Sequence, residues 1–165
     1  MPKKTRSIRF EGDKAYVTLT RGYEAIIDAA DAHLVESSNW CAAVRQHTVY
    51  AERAKCYGIT LMHRVIANAP AHLEVDHKSG NGLINTRENL RVATRSENAR
   101  NTVTSITNKS GVKGVSWDKT RSKWTAHIQI NKKCIGIGRY DTVEMASIAY
   151  AKASAELHGE FGRLK

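Results

Sequence analysis

Residues 74–101 read EVDHKSGNGLINTRENLRVATRSENARN. In this stretch Asp76 and His77 stand side by side before a glycine-rich turn. Five asparagines follow them, and they are Asn81, Asn85, Asn89, Asn98 and Asn101. Asparagine forms neither helices nor strands well, so the enrichment indicates either a turn-rich connector or a site built from amide side chains.

Local patterns predict a strand, a turn, a second strand and a helix across the same stretch. Residues 73–77 form a short strand that delivers the acid and the histidine, and residues 78–82 have the composition of a tight turn. Residues 90–92 fit a return strand. Thr94 and Glu97 then form a capping box, which starts a helix at about Thr94.

The side chains on these elements suggest metal-assisted hydrolysis. Asp76 and His77 point to opposite sides of a regular strand, and a helix packing back on the hairpin brings Asn98 to the side of Asp76. Carboxylate and amide oxygens suit Mg²⁺ or Mn²⁺, whereas zinc prefers nitrogen and sulfur. The imidazole of His77 suits the role of general base, and Asn89 can brace the loop. By spacing alone, a purely structural interpretation stays open.

Three neighbouring polar residues receive structural interpretations. His63 lies on a helix predicted over residues 59–69 and is interpreted as a packed or capping histidine rather than a ligand. Asn81 and Asn85 are interpreted as turn formers.

The composition indicates a polyanionic partner. The 165 residues include 26 Lys and Arg against 16 Asp and Glu, a net charge of +10. Residues 109–139 carry eight bases and one acid, whereas residues 1–68 carry ten bases and seven acids. A binding face for nucleic acid is therefore expected in the later part of the chain, with a merely soluble basic protein as the alternative.

Cysteine usage and hydropathy favour a reducing compartment. Cys41, Cys56 and Cys134 are far apart and form no C-x-x-C pair, so free thiols are expected. The chain has no signal-peptide pattern and no apolar run near 18 residues, so neither secretion nor membrane insertion is expected.

The residues before the opening stretch read as a β-rich segment with Trp40 in its core. A short helical turn is predicted over residues 28–34. The predicted strands cover residues 15–19, 23–27, 40–44 and 49–53.

The residues after the opening stretch read as a three-stranded sheet backed by one helix. The predicted strands cover residues 112–117, 123–130 and 134–140, and a turn over 131–133 joins the last two. A second capping box, Asp141 with Glu144, starts the helix, and Gly159 ends it.

The middle strand of this sheet alternates between two kinds of residue. One face carries Trp124, Ala126, Ile128 and Ile130 toward the helix. The other face carries Lys123, Thr125, His127 and Gln129 outward. Such a polar face can enter the major groove and read base edges.

Two sequence motifs resemble those of one nuclease family. VDHKSGNGLINTRENLRVATRSENARN (residues 75–101) resembles the HNH motif of the homing endonucleases of phages and introns. LMHRVIA (residues 61–67) is similar to the helix that precedes the motif in that subgroup. Together the two motifs cover about residues 60–101.

The resemblance implies a ββα-metal unit with assigned roles. His77 would be the general base and Asn89 the middle asparagine that fixes the loop. Asp76 and Asn98 would hold one divalent cation, Mg²⁺ with Mn²⁺ as a substitute. The last motif position is Asn98 rather than histidine, as is usual in this subgroup. The zinc-binding cysteines of some relatives are absent, so no structural zinc is expected.

The C-terminal part resembles a second family, the Apetala/ethylene-response type of DNA-binding domain. The matching blocks are GVKGVSWD (111–118), KWTAHIQI (123–130), GRYDTVEMASIAYAKA (138–153) and HGEFG (158–162). This resemblance covers about residues 110–162 and implies a sheet that binds double-stranded DNA. The residues expected to contact DNA are Lys113, Trp117, Lys119, Arg121, Lys123, Thr125, His127, Gln129, Lys132 and Arg139. Trp124 is assigned to the core, and Trp117 is open between core and DNA-backbone contact.

Taken together, the sequence predicts an α+β protein with four parts. They are a β-rich N-terminal segment (1–58), a ββα-metal HNH unit (59–102), a linker (103–110) and an Apetala-type DNA-binding domain (111–165). The predicted function is a site-specific homing-type DNA endonuclease, located in the cytoplasm of the bacterial host of a phage or mobile element, with no membrane partner.

Two alternatives remain beside the endonuclease. One is a non-catalytic DNA-binding regulator with a relic HNH unit, which the intact Asp76, His77, Asn89 and Asn98 disfavour. The other is an RNA-directed nuclease, which is disfavoured because the outward sheet face has no aromatic stacking platform. The sequence leaves open the target DNA, nicking against double-strand cutting, and whether the protein is a monomer or a homodimer.

Overall fold

The computed structural model describes residues 6–55, 58–101, 108–131 and 133–162. The chain divides into two compact units, Met1–Arg95 and Ser96–Lys165, and each is described by itself. Cys56, Lys132 and residues 103–107 of the predicted linker lie outside the described residues. Within the described ranges, no helix is long and apolar enough to cross a membrane.

In its described residues, the first unit contains three small antiparallel sheets, one short α-helix and two 3-10 helices, Thr20–Gly22 and Ala29–Leu34. The first sheet comprises β1 (Ile8–Glu11), β2 (Lys14–Thr18) and β3 (Glu24–Asp28). The second comprises β4 (Cys41–Val44), β5 (Val49–Lys55) and β6 (Gly58–Leu61). The helix α1 (Met62–Ala67) leads to the hairpin of β7 (Glu74–His77) and β8 (Leu90–Ala93).

The sequence-based strands of this unit are confirmed, and two elements differ from expectation. Strand β1 is not predicted, and the helix predicted over residues 59–69 is shorter than expected. Residues 58–61 pair with β5 instead, because Ile59 and Thr60 are β-branched and a strand edge is available to them. The helix ends at Ala67, and the next residue, Asn68, adopts the left-handed conformation two residues before Pro70.

One hydrophobic core joins the N-terminal strands to the hairpin. Trp40, Ile27, Met62 and Ile66 are almost fully buried in it, and Val75 of β7 belongs to the same cluster. Trp40 also donates its Nε1–H to the carbonyl of Val35 at 3.0 Å. Each large apolar side chain buried in this way contributes about 1.5–3 kcal/mol of transfer free energy. The strands before residue 58 therefore stabilise the elements that carry Asp76 and His77.

The loop between β7 and β8 is bound to the first sheet by its backbone. The N–H of Ile26 donates to the carbonyl of Leu83 at 2.8 Å, and the N–H of Asn85 donates to the carbonyl of Ile26 at 2.7 Å. These bonds flank a parallel bridge between Ile26 and Ile84. The loop thus extends the sheet beyond β3.

An ion pair fixes the next part of the same loop. The Arg87 guanidinium donates two hydrogen bonds to the carboxylate of Asp31. Nη2 lies 2.7 Å from Oδ1, and Nε lies 2.9 Å from Oδ2. Asp31 is 3% exposed, and the backbone N–H of Arg87 also donates to Oδ2 of Asp28 at 2.7 Å. A buried carboxylate needs such a partner, since leaving it unpaired is costly.

The second unit contains a three-stranded antiparallel sheet that packs on one long helix. The strands are β9 (Val115–Asp118), β10 (Lys123–Ile130) and β11 (Lys133–Tyr140), with β10 in the middle. The short helix α2 (Arg95–Arg100) follows β8 in sequence, and α3 (Val143–His158) packs on the sheet. The predicted strands, the predicted helix start near Thr94 and the helix end before Gly159 are confirmed.

The core of this sheet and helix follows the predicted alternation. Ala126 and Ile128 of β10 are buried against Ala146 and Tyr150 of α3, and Trp124 packs at the edge of the same cluster. Gly114 adopts a positive φ of 69°, and a Cβ there would lie 2.3 Å from the ring of Tyr150. Close packing of the strand entrance on the helix therefore requires glycine at this position.

The predicted capping box of α3 is displaced by one residue. Thr142, and not Asp141, is the N-cap, because its side chain accepts the hydrogen bond from the backbone N–H of Met145. The carboxylate of Asp141 instead pairs with Lys123.

We predict that Gly82→Ala destabilises the first unit. A Cβ at Gly82 would lie 2.6 Å from the carbonyl oxygen of Val49 and 2.6 Å from Cδ1 of Tyr50, so the loop must shift. The expected loss is roughly 1–3 kcal/mol in the free energy of unfolding, measured by urea denaturation.

Gly136→Ala is the matched control, because a Cβ there meets no atom within 4 Å. Equal unfolding midpoints for the two variants would contradict the close approach of the loop to β5.

Candidate functional site

The β7–β8 hairpin sets the directions of the two residues at its centre. Asp76 lies opposite Arg91, and His77 lies opposite Leu90. Directly opposed residues project to the same face of a sheet, and successive residues project to opposite faces. Asp76 and His77 therefore point to different sides, as expected, and each is only 5% exposed.

Arg91 forms a buried ion pair with Asp76. Its Nε and Nη2 lie 2.7 Å and 2.6 Å from the same carboxylate oxygen, Oδ2. Both side chains are largely buried, so the pair fixes the carboxylate in one orientation. The sequence interpretation missed Arg91, because only the strand register shows that it faces Asp76.

Asn85 holds the imidazole of His77. His77 Nε2 lies 3.1 Å from Oδ1 of Asn85, which is itself fully buried. The Asn85 amide is oriented by Nδ2, which donates to the carbonyl of Leu83 at 3.2 Å. Because an amide oxygen only accepts, Nε2 of neutral His77 carries the proton, and Nδ1 is the basic atom.

The surroundings of His77 favour the neutral imidazole. Burial lowers its pKa below the ordinary value, while the hydrogen bond to Asn85 and the negative charge of Asp76 partly offset this effect. A neutral histidine can accept a proton from water, which is what a general base requires.

Asn89 braces the loop that follows His77. Its Oδ1 accepts from the backbone N–H of Ser79 at 3.0 Å, and its Nδ2 donates to the carbonyl of Ile84 at 2.7 Å. The carbonyl of Asn89 accepts from the N–H of Lys78 at 2.9 Å. This is the bracing predicted for Asn89, and it acts on the backbone, whereas Asn85 acts on the histidine.

Two rings from the N-terminal part of the unit enclose His77. His63 of α1 lies with its ring centroid 4.9 Å from that of His77, at an interplanar angle of 89°. Tyr50 of β5 lies 5.9 Å from His77 and 5.5 Å from His63. Burial raises the pKa of the Tyr50 hydroxyl, and the nearby charge of Asp76 adds to the effect.

The predicted metal ligands belong to different compact units. Asp76 lies in the first unit, and Asn98 lies on α2 in the second, so their pairing stays a prediction. The packing of α2 on the hairpin in a ββα arrangement stays a prediction for the same reason. Among the described residues no three His, Cys, Asp or Glu side chains cluster around a possible ion. The predicted ligand set consists of one carboxylate and one amide, so it is not a cluster of that kind.

The donor chemistry of the predicted set fits a hard cation. Mg²⁺ is commonly held by one or two carboxylates and completes its coordination with water and phosphate oxygens. Asp76 supplies such a carboxylate, although a cation there would share it with Arg91.

The second unit presents the predicted polar sheet face. Thr125, His127 and Gln129 alternate with the buried Ala126 and Ile128, and so lie on the side away from α3. Arg139 is opposite Thr125 and lies on the same face. A bulge in the pairing of β10 with β11 falls between Ala126 and His127.

Several of the predicted DNA-contacting cations have protein partners. Asp118 lies on the polar face, 3.3 Å from Nη1 of Arg121 and 3.8 Å from Nε of Arg139. Lys123 pairs with Asp141, and Lys113 donates to the carbonyl of Arg100 at 2.7 Å. These contacts hold the cations in place on the unit, while Lys119 is exposed in the turn after β9.

Trp117 lies on the other side of the sheet. It pairs with Trp124 across β9 and β10, with ring centroids 5.2 Å apart, so both face the helix side. Trp117 is 45% exposed because it lies at the end of the sheet. Any contact with DNA would therefore use the sheet end and not the polar face.

The sequence interpretation missed two functional candidates besides Arg91. Asn85 is interpreted as a turn former, yet it holds the candidate base. His63 is correctly interpreted as a packed residue, but the sequence did not show that His77 is its neighbour. The apolar pair Leu83 and Ile84 directly before Asn85 is the one local signal that this part of the loop is packed and not a free turn.

Comparisons with known proteins support both halves of the sequence interpretation to different degrees. Residues 110–160 match the AP2 domain, a DNA-binding domain, which confirms the Apetala-type resemblance. No solved structure matches the chain.

Two relatives come from viruses. The chain is 35% identical over 96 residues to Protein 3.8 of Escherichia phage T7, covering 58% of this chain and 78% of that protein. It is 37% identical over 92 residues to the uncharacterized HNH endonuclease L560 of Acanthamoeba polyphaga mimivirus, covering 56% of this chain. That stretch spans only 46% of the mimivirus protein.

We predict that Asn85→Ala destabilises the first unit more than Asn81→Ala. Removing the Asn85 amide leaves the buried Nε2–H of His77 and the carbonyl of Leu83 without this partner, a cost of about 1–3 kcal/mol. Asn81 is exposed, and its Oδ1 accepts the turn bond from the backbone N–H of Leu83. Urea denaturation of both variants measures the difference, and a larger loss for Asn81→Ala would contradict the burial of Asn85.

We also predict that Arg139→Ala weakens DNA binding and that Lys152→Ala does not. Both variants lose one positive charge, but Arg139 lies on the polar sheet face and Lys152 is exposed on α3. On duplexes selected by the wild type from a random library, Arg139→Ala should lose about 1–3 kcal/mol of binding free energy. Fluorescence anisotropy measures it, and equal losses would show that only net charge matters.

Proposed function

The chain belongs to the same family as Protein 3.8 of Escherichia phage T7, and we propose that it is a DNA endonuclease of the HNH homing type. In this proposal the first unit hydrolyses a phosphodiester bond, and the AP2 domain binds the target DNA. The observation that carries the proposal is the buried histidine His77, oriented by Asn85 with its basic Nδ1 defined, next to the carboxylate of Asp76.

In this proposal, four side chains of the first unit each have a task at the site. His77 takes the proton of the attacking water on Nδ1, while Asn85 keeps Nε2 protonated and the ring oriented. Asn89 holds the loop backbone so that His77 keeps its position. Arg91 holds the carboxylate of Asp76 in one orientation. These tasks require a rigid loop, which the N-terminal sheet supports.

A divalent cation completes the proposed site. Asp76 and, as the HNH resemblance implies, Asn98 would hold Mg²⁺ or Mn²⁺, which supplies charge stabilisation for the phosphate and the leaving oxygen. The proposed location is the cytoplasm of a bacterial host, where the DNA target of a phage or mobile element lies.

A DNA-binding regulator without nuclease activity is the second candidate. One observation favours it: Arg91 already neutralises Asp76 through a buried ion pair, which competes with a bound cation. In that case the AP2 domain alone would carry the function.

We predict that His77→Ala abolishes cleavage and preserves DNA binding. Loss of a general base typically lowers the rate by about 10²- to 10⁴-fold. The assay uses a supercoiled plasmid library with Mg²⁺, with Mn²⁺ and with EDTA, and separates nicked from linear products. DNA binding by the AP2 domain should stay unchanged, because His77 lies in the other unit.

His72→Ala is the matched control, since His72 is an exposed histidine five residues earlier in the chain. It should cut like the wild type. A wild-type protein that binds a selected duplex tightly but cuts it under none of the metal conditions would support the regulator instead.

A further inference from the structure

Among the described residues, His63 has a buried polar atom that makes no hydrogen bond. The side chain is 5% exposed, and its Nδ1 is buried without a hydrogen-bond partner in the part of the chain that the structure describes. Buried polar atoms are almost always hydrogen-bonded, and an exception in a native protein points to a catalytic role or to a bound water or ion.

The His63 imidazole is neutral. Burial, with the positive charge that His77 or Arg64 can carry nearby, lowers its pKa to about 3. A neutral imidazole has one N–H donor and one lone pair, so Nδ1 can make a hydrogen bond with water in either tautomer.

The position of His63 beside His77 is fixed by its neighbours on α1. Arg64 donates to the carbonyl of Leu73 at 2.7 Å and to that of Pro70 at 2.8 Å, which ties α1 to the segment entering β7. Met62 is fully buried, and its sulfur lies 3.9 Å from Nδ2 of Asn85. The edge-to-face contact of His63 with His77 is therefore a defined part of the site.

We propose that His63 is a water-binding residue of the nuclease site, whose Nδ1 holds an ordered water molecule beside His77. The two ring centroids are 4.9 Å apart, so a water bonded to Nδ1 on the side of His77 is within reach of that imidazole. The water occupies a place where the proposed general base can use it as the nucleophile or as a proton relay. This inference rests on the proposed function for its catalytic part only.

A purely structural role for His63 makes the opposite prediction. If the side chain only fills space in the core, an apolar residue of similar width makes the protein more stable, because it removes an unsatisfied polar atom. Catalytic activity would then follow stability. If Nδ1 binds the water, the apolar variant loses activity without a matching loss of stability.

The test compares His63→Leu with His63→Asn. The two replacements have nearly the same shape, and only asparagine places a polar atom close to the position of Nδ1. We expect His63→Leu to have a melting temperature at or above that of His63→Asn and to bind DNA like the wild type. We expect its cleavage rate to be lower than that of the wild type by about tenfold or more. The rate of His63→Asn should lie between those of His63→Leu and the wild type.

High-resolution crystal structures of the wild type and both variants give a second readout. An ordered water within hydrogen-bond distance of Nδ1 in the wild type, kept in His63→Asn and absent in His63→Leu, supports the proposal. Wild-type turnover by His63→Leu, or a wild-type map without this water, overturns it. If the wild type cuts no DNA, the proposed function falls, and the crystallographic readout alone decides whether His63 binds water.

Discussion

The contacts of Asn85 connect the scaffold of the first unit to its candidate chemistry. Its backbone N–H is bound to Ile26 of the first sheet, and its side chain is bound to His77. Because the residue is fully buried, both bonds are shielded from water, and the orientation of the imidazole follows from the position of the sheet. A loop rich in asparagine and glycine is thereby fixed in one conformation by the sheet.

This connection explains why the N-terminal strands belong with the hairpin. The same loop is held by the Arg87–Asp31 ion pair and by the backbone bond of Arg87 to Asp28. It is also packed on Tyr50 through Gly82. The near-balanced charge of this part of the chain suits such a role, because several of its charged side chains pair with one another and the remaining surface carries little excess charge.

The AP2 domain shows a different use of charge. Arg121 and Arg139 share Asp118, and Lys123 pairs with Asp141, so these cations are positioned before any DNA arrives. Exposed ion pairs contribute little to stability, so exchanging them for contacts with phosphates or bases costs little. The polar sheet face is in this way ordered in advance, and its basic excess remains available for a polyanion.

The sequence by itself determined the strands of the second unit, its helix and its DNA-binding family, because strict alternation and helix spacing are local patterns. It also singled out Asp76, His77 and Asn89, whose types and spacing indicate chemistry. It did not reveal β1, the shortened α1, or the roles of Asn85, Arg91 and His63. The roles of these three residues depend on strand register and on contacts between residues 8 to 59 positions apart in the chain. Only the tertiary structure decides such contacts, since no local pattern states which distant side chain will fill the space beside a buried imidazole or carboxylate.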